Sequence, residues 1–189
     1  MEEYSGIITF VRELERLKNH TRTAWTSTGR HESIAEHSWR LSLFILVLED
    51  DFPEIDFHKV LRMSLIHDLG EAYEGDISAK EAIHSEEKLK KEEEAISKLI
   101  EPLPLKMQHH LISLWSEYNE GETMEAKLVK ALDKMETIIQ HNQGDNPSNF
   151  DYQFNMDYGK EYSTFHPIIQ SIRELIDRET DMKIKESKS

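Results

Sequence analysis

The sequence predicts an all-α protein, a compact multi-helix bundle, and three observations carry that prediction. Apolar residues recur at spacings of three and four through most of the 189-residue chain, the period of one face of an amphipathic helix. No stretch alternates strictly between apolar and polar residues inside the turns that would bound a strand. No internal repeat divides the chain. A hydrophobic fraction of 38% over this length suffices for one domain with a real core. The expected organisation is a single domain over residues 1–180 and a polar tail over 181–189, frayed and without a role.

The elements follow in order. Segment 5–18 sets Ile7, Phe10, Val11, Leu14 and Leu17 on one helical face. The stretch KNHTRTAWTSTGRHE breaks that pattern with threonines and a glycine and reads as a loop. A helix restarts at SIAE, where Ser33 can cap free amides while Glu36, three residues on, reaches back to close a capping box. It runs to about Glu49. DDFPEID is a turn with Pro53 as its breaker, and Asp56 caps a helix over roughly 57–69 whose loosened end carries Gly70 and Gly75. SAKEAIHSEEKLKKEEEAISKLIEPLP, dense in Glu and Lys, reads as a solvated helix with internal ion pairs, ended by Pro102 and Pro104. Further helices are expected at about 105–119, 124–141 and 166–179, the middle one marked by Leu128, Val129, Leu132, Met135, Ile138 and Ile139. A long polar loop, HNQGDNPSNFDYQF, joins the last two.

Charge and composition exclude several classes of function. A net charge of −14 with no basic run repels an extended phosphate backbone, so a nucleic-acid polymer is not the expected partner. A small anion held locally by a metal or an arginine is compatible with that charge. With no cysteine there is no disulfide, no thiolate nucleophile and no cysteine-bound zinc, so any metal must sit on His, Asp or Glu. The longest apolar run, LSLFILVL, is too short to span a bilayer, and MEEYSGIITF is acidic where a secretory signal would be basic. The expectation is a cytoplasmic protein with no membrane partner.

Chemistry concentrates in SLIHDLGEAYEGDIS, residues 64–78, which crowds His67, Asp68, Glu71, Glu74 and Asp76 after an apolar run. On a helix, His67 and Glu71 are one turn apart and Asp68 and Glu71 three residues apart, so their side chains project in overlapping directions. Leu61, Met63, Leu65 and Ile66 anchor that helix in the interior, which brings His67 and Asp68 out close to buried surface. A carboxylate there needs compensation, either from hydrogen bonds that merely cap the helix end or from a divalent cation. Two further residues favour the cation. His37 lies one turn inside the helix capped by Ser33, on the side of Leu41 and Phe44, and Asp133 sits mid-helix among Val129, Leu132 and Met135. Taken singly, each would be a satisfied core residue; together with His67 and Asp68 they suggest four ligands gathered from three helices, as bundles build metal sites.

The order His37, then His67-Asp68, then Asp133 resembles the signature of the HD-domain metal-dependent phosphohydrolases. RTAW, ESIAEHSWR, HDLGEAYEGDI, LWSEY and EAKLVKALDKME resemble the 5′-deoxynucleotidase branch over about residues 8–140. The resemblance implies the HD-domain fold, hydrolysis of deoxyribonucleoside 5′-monophosphates, and a homodimer. It implies that His37, His67, Asp68 and Asp133 hold a catalytic divalent metal, and that Glu71 and Asp76 share the positioning of water and the protonation of the leaving 5′-oxygen. Glu71 and Asp76, with the main-chain carbonyl of Ile77, would also form a second site for a cation such as magnesium. Arg22 would grip the substrate phosphate, and Glu117 would lie near the sugar and base. Two nitrogen and two oxygen ligands suit Mn²⁺, Co²⁺, Fe²⁺ or Zn²⁺ better than Mg²⁺. In one respect the chain departs from the pattern: bacterial members place a sugar-packing tryptophan directly after the arginine, where this chain has Thr23, with Trp25 two positions later. The rival readings are an HD phosphohydrolase acting on a triphosphate, cyclic or alarmone nucleotide, and a metal- and nucleotide-binding module without turnover. His20, His31, His58, His84, His109, His110, His141 and His166 are expected at the surface, Arg30 exposed, and Trp115 and Tyr118 as packing groups first and base-stacking groups second.

Overall fold

A computed structural model of the chain describes residues 4–75 and 85–187. The described residues form helices α1 (Ser5–Glu13), α2 (Arg16–Asn19), α3 (Ile34–Leu46), α4 (Phe57–Ile66), α5 (Ser85–Ile100), α6 (Leu105–Glu120), α7 (Met124–Gln143) and α8 (Pro167–Glu186), with one antiparallel hairpin of β1 (Thr21–Trp25) and β2 (His31–Ser33). The fold is all-α apart from that hairpin. No helix of the described residues is long and apolar enough to cross a membrane.

Helix α7 is the axis of the fold and packs against α3, α4, α6 and α8. Leu128, Leu132, Met135 and Ile138 of α7 join Leu41 and Ile45 of α3, Val60 and Met63 of α4, and Ile169 and Ile176 of α8 in the larger core. A second core gathers Leu17, Ile34, Leu69, Ile96, Leu99, Ile100 and Trp115, and Ile66 touches both. The site described below starts one residue beyond Ile66, where α4 ends between the two cores.

Local chemistry explains where the helices start. The Ser33 hydroxyl accepts from the Glu36 amide while the Glu36 carboxylate accepts from the Ser33 amide, so the capping box forms as the sequence implies. Asp56 caps α4 by accepting from the Lys59 amide.

Five expectations are corrected. The helix expected over 5–18 breaks after Glu13: the Glu15 amide turns back to the Arg12 carbonyl, and the chain is redirected into α2, where Leu17 is buried. The loop expected over 18–32 holds the hairpin, whose strands are too short and too irregular in register for alternation to be visible. Its turn closes with the Thr26 amide bonded to the Arg30 carbonyl and requires Gly29, at φ +78°. Helix α4 stops at Ile66, three residues early, and the chain tightens into a 3₁₀ turn at Leu69–Glu71. Gly70 there is a point of close packing and not a loosened end, since a Cβ would meet that of Glu92 on α5 at 2.7 Å. His141 is buried against Asn155, not at the surface. The tail expected from residue 181 is a continuation of α8 through Glu186, held down by buried Thr180 and Ile184. Ile169 and Ile176 of α8 are in the core, while Leu175 and Met182 are exposed.

Candidate metal centre

Three helices deliver the cluster. The Ser33 capping box sets the start of α3, so His37 falls one turn in and points into the interior with no exposed surface. Helix α4, anchored by Val60 and Met63, ends with His67 buried and Asp68 directly after it. Asp133 projects from the middle of α7 and is 4% exposed. His37 Nε2 lies 3.1 Å from Asp133 Oδ1 and 3.7 Å from Asp68 Oδ2. His67 Nε2 lies 3.2 Å from Asp68 Oδ2 and 3.9 Å from Asp133 Oδ1. Two imidazole nitrogens and two carboxylate oxygens thus converge on one point, and His37, His67 and Asp133 each present a buried donor atom within 4.8 Å of the others.

The other ring nitrogens fix how these atoms are presented. His67 Nδ1 is 2.8 Å from the Ser64 carbonyl, an acceptor only, so Nδ1 carries the hydrogen and Nε2 presents its lone pair. His37 Nδ1 is 2.5 Å from the Glu136 carboxylate. Both Nε2 atoms are buried and form no hydrogen bond with any described residue. Buried polar atoms are otherwise almost always satisfied, so this pair needs a partner. Asp133 is held the same way: its Oδ2 accepts from the Tyr118 hydroxyl at 2.8 Å and the Lys134 ammonium at 2.9 Å, leaving Oδ1 toward the histidines.

The electrostatics show a pocket with excess negative charge, in which His37 itself carries positive charge when no ion does. Burial opposes ionisation of Asp68, but His67, His37 and Arg22 outweigh it and hold the carboxyl well below the usual range. Asp133 is also held well below that range, because Lys134 and the two histidines outweigh the cost of burial. Burial and Arg22 push His37 down, yet Glu136 and Asp133 prevail and hold it up at about 10. Burial and the Asp133 charge push Tyr118 well up, which keeps it a donor. The pocket is built to contain positive charge, and its donor set of imidazole and carboxylate fits a divalent cation.

Arg22 reaches the cluster from β1. Its Nη1 is 3.3 Å from Asp68 Oδ2, its Nη2 donates to Thr137 Oγ1 at 3.0 Å, and its Nε faces Glu32 at 3.7 Å. Thr23, next in the strand, is exposed, and Trp25 lies against His31 with ring centroids 4.0 Å apart and the planes tilted by 37°. Glu71 is buried in the 3₁₀ turn after Asp68, and its carboxylate lies 3.9 Å from Lys88 on α5. Asp76 and Ile77 lie outside the described residues. Glu117 is not brought to the cluster. It pairs with Lys59 at 2.7 Å and accepts from Thr123 at 2.6 Å, at the first turn of α4 and roughly 12 Å along the helix axis from His67. Tyr118, its neighbour, is the residue of α6 that turns to Asp133.

Several residues here escaped the reading of the sequence: Glu32, Arg40, Lys134, Glu136, Thr137 and the Tyr118 hydroxyl. The available signal was a stripe of Asp133, Glu136, Thr137 and Gln140 at spacings of three, four and seven on a helix buried nearly all round. Glu32, His37 and Glu136 also form a compact acidic group, but its charge is answered by Arg40, which bonds the Glu136 carboxylate and lies 3.9 Å from Glu32, and by Arg22.

Comparison with known proteins gives a consistent result. The HD-domain family pattern matches residues 14–173. The 5′-deoxynucleotidase HDDC2 of Mus musculus is 33% identical over 175 residues, 90% of this chain and 87% of the relative. A 5′-deoxynucleotidase of Schizosaccharomyces pombe is 34% identical over 179 residues, 87% of this chain and 85% of the relative. Among solved structures, a predicted metal-dependent phosphohydrolase of Magnetospirillum magnetotacticum superimposes with a TM-score of 0.77 at 23% identity, covering 98% of this chain and 97% of its own, a likeness of fold. The four converging side chains and the relatives that match along most of both sequences lead to one assignment: this chain belongs to the HD-domain family, in the branch whose named members are 5′-deoxynucleotidases.

Proposed function

We propose that the protein is a metal-dependent 5′-deoxynucleotidase, converting deoxyribonucleoside 5′-monophosphates to deoxynucleosides and phosphate. The observation that carries this reading is the convergence of two buried Nε2 atoms and two aspartates beside an arginine fork. His37, His67, Asp68 and Asp133 would hold a divalent ion, and the mixed nitrogen and oxygen set favours Mn²⁺, Co²⁺, Fe²⁺ or Zn²⁺. When bound, such an ion neutralises phosphate charge and makes water acidic enough to act as a nucleophile near neutral pH.

The remaining work falls to the chain's own residues. Arg22, already oriented by Glu32 and Thr137, offers its two terminal nitrogens to the phosphate oxygens of the substrate. In the reaction a water oxygen bonds to phosphorus, the bond from phosphorus to the 5′-oxygen breaks, and the departing oxygen takes a proton. Glu71 and Asp76 are the carboxyls proposed to orient that water and to deliver that proton. Together with the Ile77 carbonyl they are also the proposed ligands of a second ion, magnesium. The absence of cysteine suits a reducing compartment, and the cytoplasm is the proposed location.

A homodimer is the proposed assembly. Its support is the apolar surface left open on the described residues: Val11, Leu65 and Met107 border a groove at Trp39, and Leu43, Leu46 and Val47 continue the exposed stripe along α3. A ridge beside a groove is the self-complementary pattern that a two-fold interface uses. Light scattering that finds only monomers at micromolar concentration would overturn it.

The test of function is phosphate release from deoxyribo- and ribonucleoside monophosphates by metal-stripped protein, with each divalent ion restored in turn. Activity that depends on the ion, prefers deoxyribose and disappears in Asp68→Ala is expected. Inertness toward every deoxyribonucleoside monophosphate, or unchanged activity in Asp68→Ala, would overturn the reading.

A further inference from the structure

We infer that Glu136 is a positioning residue for the metal centre: it fixes the tautomer and orientation of His37, so that a lone pair of Nε2 faces the ion. This rests on the metal-centre reading and deepens it.

His37 is fully buried, and both of its ring nitrogens face carboxylates. Nε2 faces Asp133 and Asp68, while Nδ1 faces one oxygen of Glu136 at 2.5 Å. A neutral imidazole carries its hydrogen on either nitrogen, and only the form with hydrogen on Nδ1 leaves Nε2 free to ligate. Glu136 holds the hydrogen on Nδ1, because a carboxylate accepts and cannot donate, so an ion that takes the place of the Nε2 hydrogen leaves the ring in that form. An anionic acceptor also makes the far nitrogen a stronger donor to metal.

Glu136 is in turn held from its other side. Its second oxygen accepts from Arg40 Nε, and Arg40 Nη2 reaches back to the Glu136 carbonyl at 3.3 Å. The sequence spacing makes this arrangement compact. His37 and Arg40 are three residues apart on α3, and Asp133 and Glu136 are three residues apart on α7, so each helix supplies one ligand and one support to the same layer. Glu32, 3% exposed, lies 3.9 Å from Arg40 and balances it.

Packing alone does not account for this group. Glu136 is 1% exposed on a helix whose neighbours Leu132, Met135 and Ile138 are fully apolar, and an apolar residue there would avoid the desolvation of two charges. His67 shows the contrast, since its Nδ1 uses the Ser64 main-chain carbonyl, which a side-chain substitution does not remove. Glu136 is therefore where support of the centre depends on a single side chain.

The experiment titrates metal-stripped full-length protein with Mn²⁺ alone, counting free ion by electron paramagnetic resonance, for the wild type, Glu136→Gln and Glu136→Ala. Melting is recorded on the same samples. Gln keeps the acceptor without its charge and should weaken Mn²⁺ binding about tenfold, and Ala removes both and should weaken it about a hundredfold. At saturating Mn²⁺ the KM for a deoxyribonucleoside monophosphate should move less than twofold, because Glu136 does not touch the substrate. Mn²⁺ affinity within twofold of wild type in folded Glu136→Ala would overturn the inference. If that variant does not fold, the same result in near-isosteric Glu136→Gln overturns it. A wild type that binds no ion would sink the metal-centre reading together with this one, whereas tight wild-type binding unaffected by Glu136→Gln would sink this inference alone.

Discussion

Replacing Asp133 with asparagine changes one atom's charge at the centre and nothing in volume, and its effect can be worked out from the contacts. Asp133 Oδ2 accepts from Tyr118 and Lys134, so the amide oxygen of Asn must take that side. The amide nitrogen then occupies the place of Oδ1, 3.1 Å from His37 Nε2, and presents hydrogens where a ligand oxygen was. Losing an anionic ligand and adding a donor should weaken ion binding at least about a hundredfold. The measurement is calorimetric melting of metal-stripped protein with and without Mn²⁺. At a free ion concentration near one hundred times the wild-type dissociation constant, binding stabilises the wild type by about 2.7 kcal/mol. Unfolding 189 residues at about 2.1 cal/mol/K each gives about 0.4 kcal/mol/K, so the melting temperature should rise by about 7 °C. At the same concentration Asp133→Asn would gain only about 0.4 kcal/mol, or about 1 °C. Equal shifts in the two proteins, or no shift in the wild type, would refute the assignment of Asp133 as a ligand.

Arg22→Lys should cost nearly as much as Arg22→Ala, about a hundredfold in kcat/KM, because a single ammonium cannot reproduce the fork now spanning Asp68 and Thr137; near wild-type turnover by the lysine variant would show that the fork is dispensable. Glu36 is held down to about 2, first by its hydrogen bonds from Arg30 and then by Ser33. Its folded pKa lies below the usual 4.5, so its contribution is complete above pH 4.5 and is lost as the pH falls toward 2. With the side chain 44% exposed, solvent screening reduces that contribution to about 1 kcal/mol or less. Urea titrations of wild type and Glu36→Gln should differ by that amount at pH 7 and converge near pH 2, and a difference independent of pH would contradict the assignment. Leu41→Ala, one turn beyond His37 and fully buried, should destabilise by about 2–5 kcal/mol in the same titration; a loss under about 1 kcal/mol would mean that the core beside the centre is not close-packed.

The parts of the fold legible from sequence are those encoded over three or four residues. The Ser33–Glu36 box, the Asp56 cap and the apolar faces of α3, α4 and α7 follow from local spacing, and with them the inward positions of His37 and Asp133. Residue type suggested that these form one centre and the family pattern specified it, because spacing alone does not bring α3, α4 and α7 together. Glu117 shows what position in sequence leaves open: it sits next to Tyr118, yet a rotation of about 100° per residue turns it to Lys59 and Thr123 and not to Asp133.

What the chain determined alone is therefore its helical class, the helix starts and the chemical types available for a site. The tertiary structure decided which of those types meet. Arg22 reaches Asp68 only because a hairpin too irregular to read as alternation folds it inward, and residues 181–186 continue α8 with Ile184 buried on the assembled bundle. Glu136 supports His37 across 99 residues of sequence. Caps and amphipathic faces are contacts between near neighbours along the chain, whereas the partner of a buried charge is whatever the packed helices bring within about 3 Å of it.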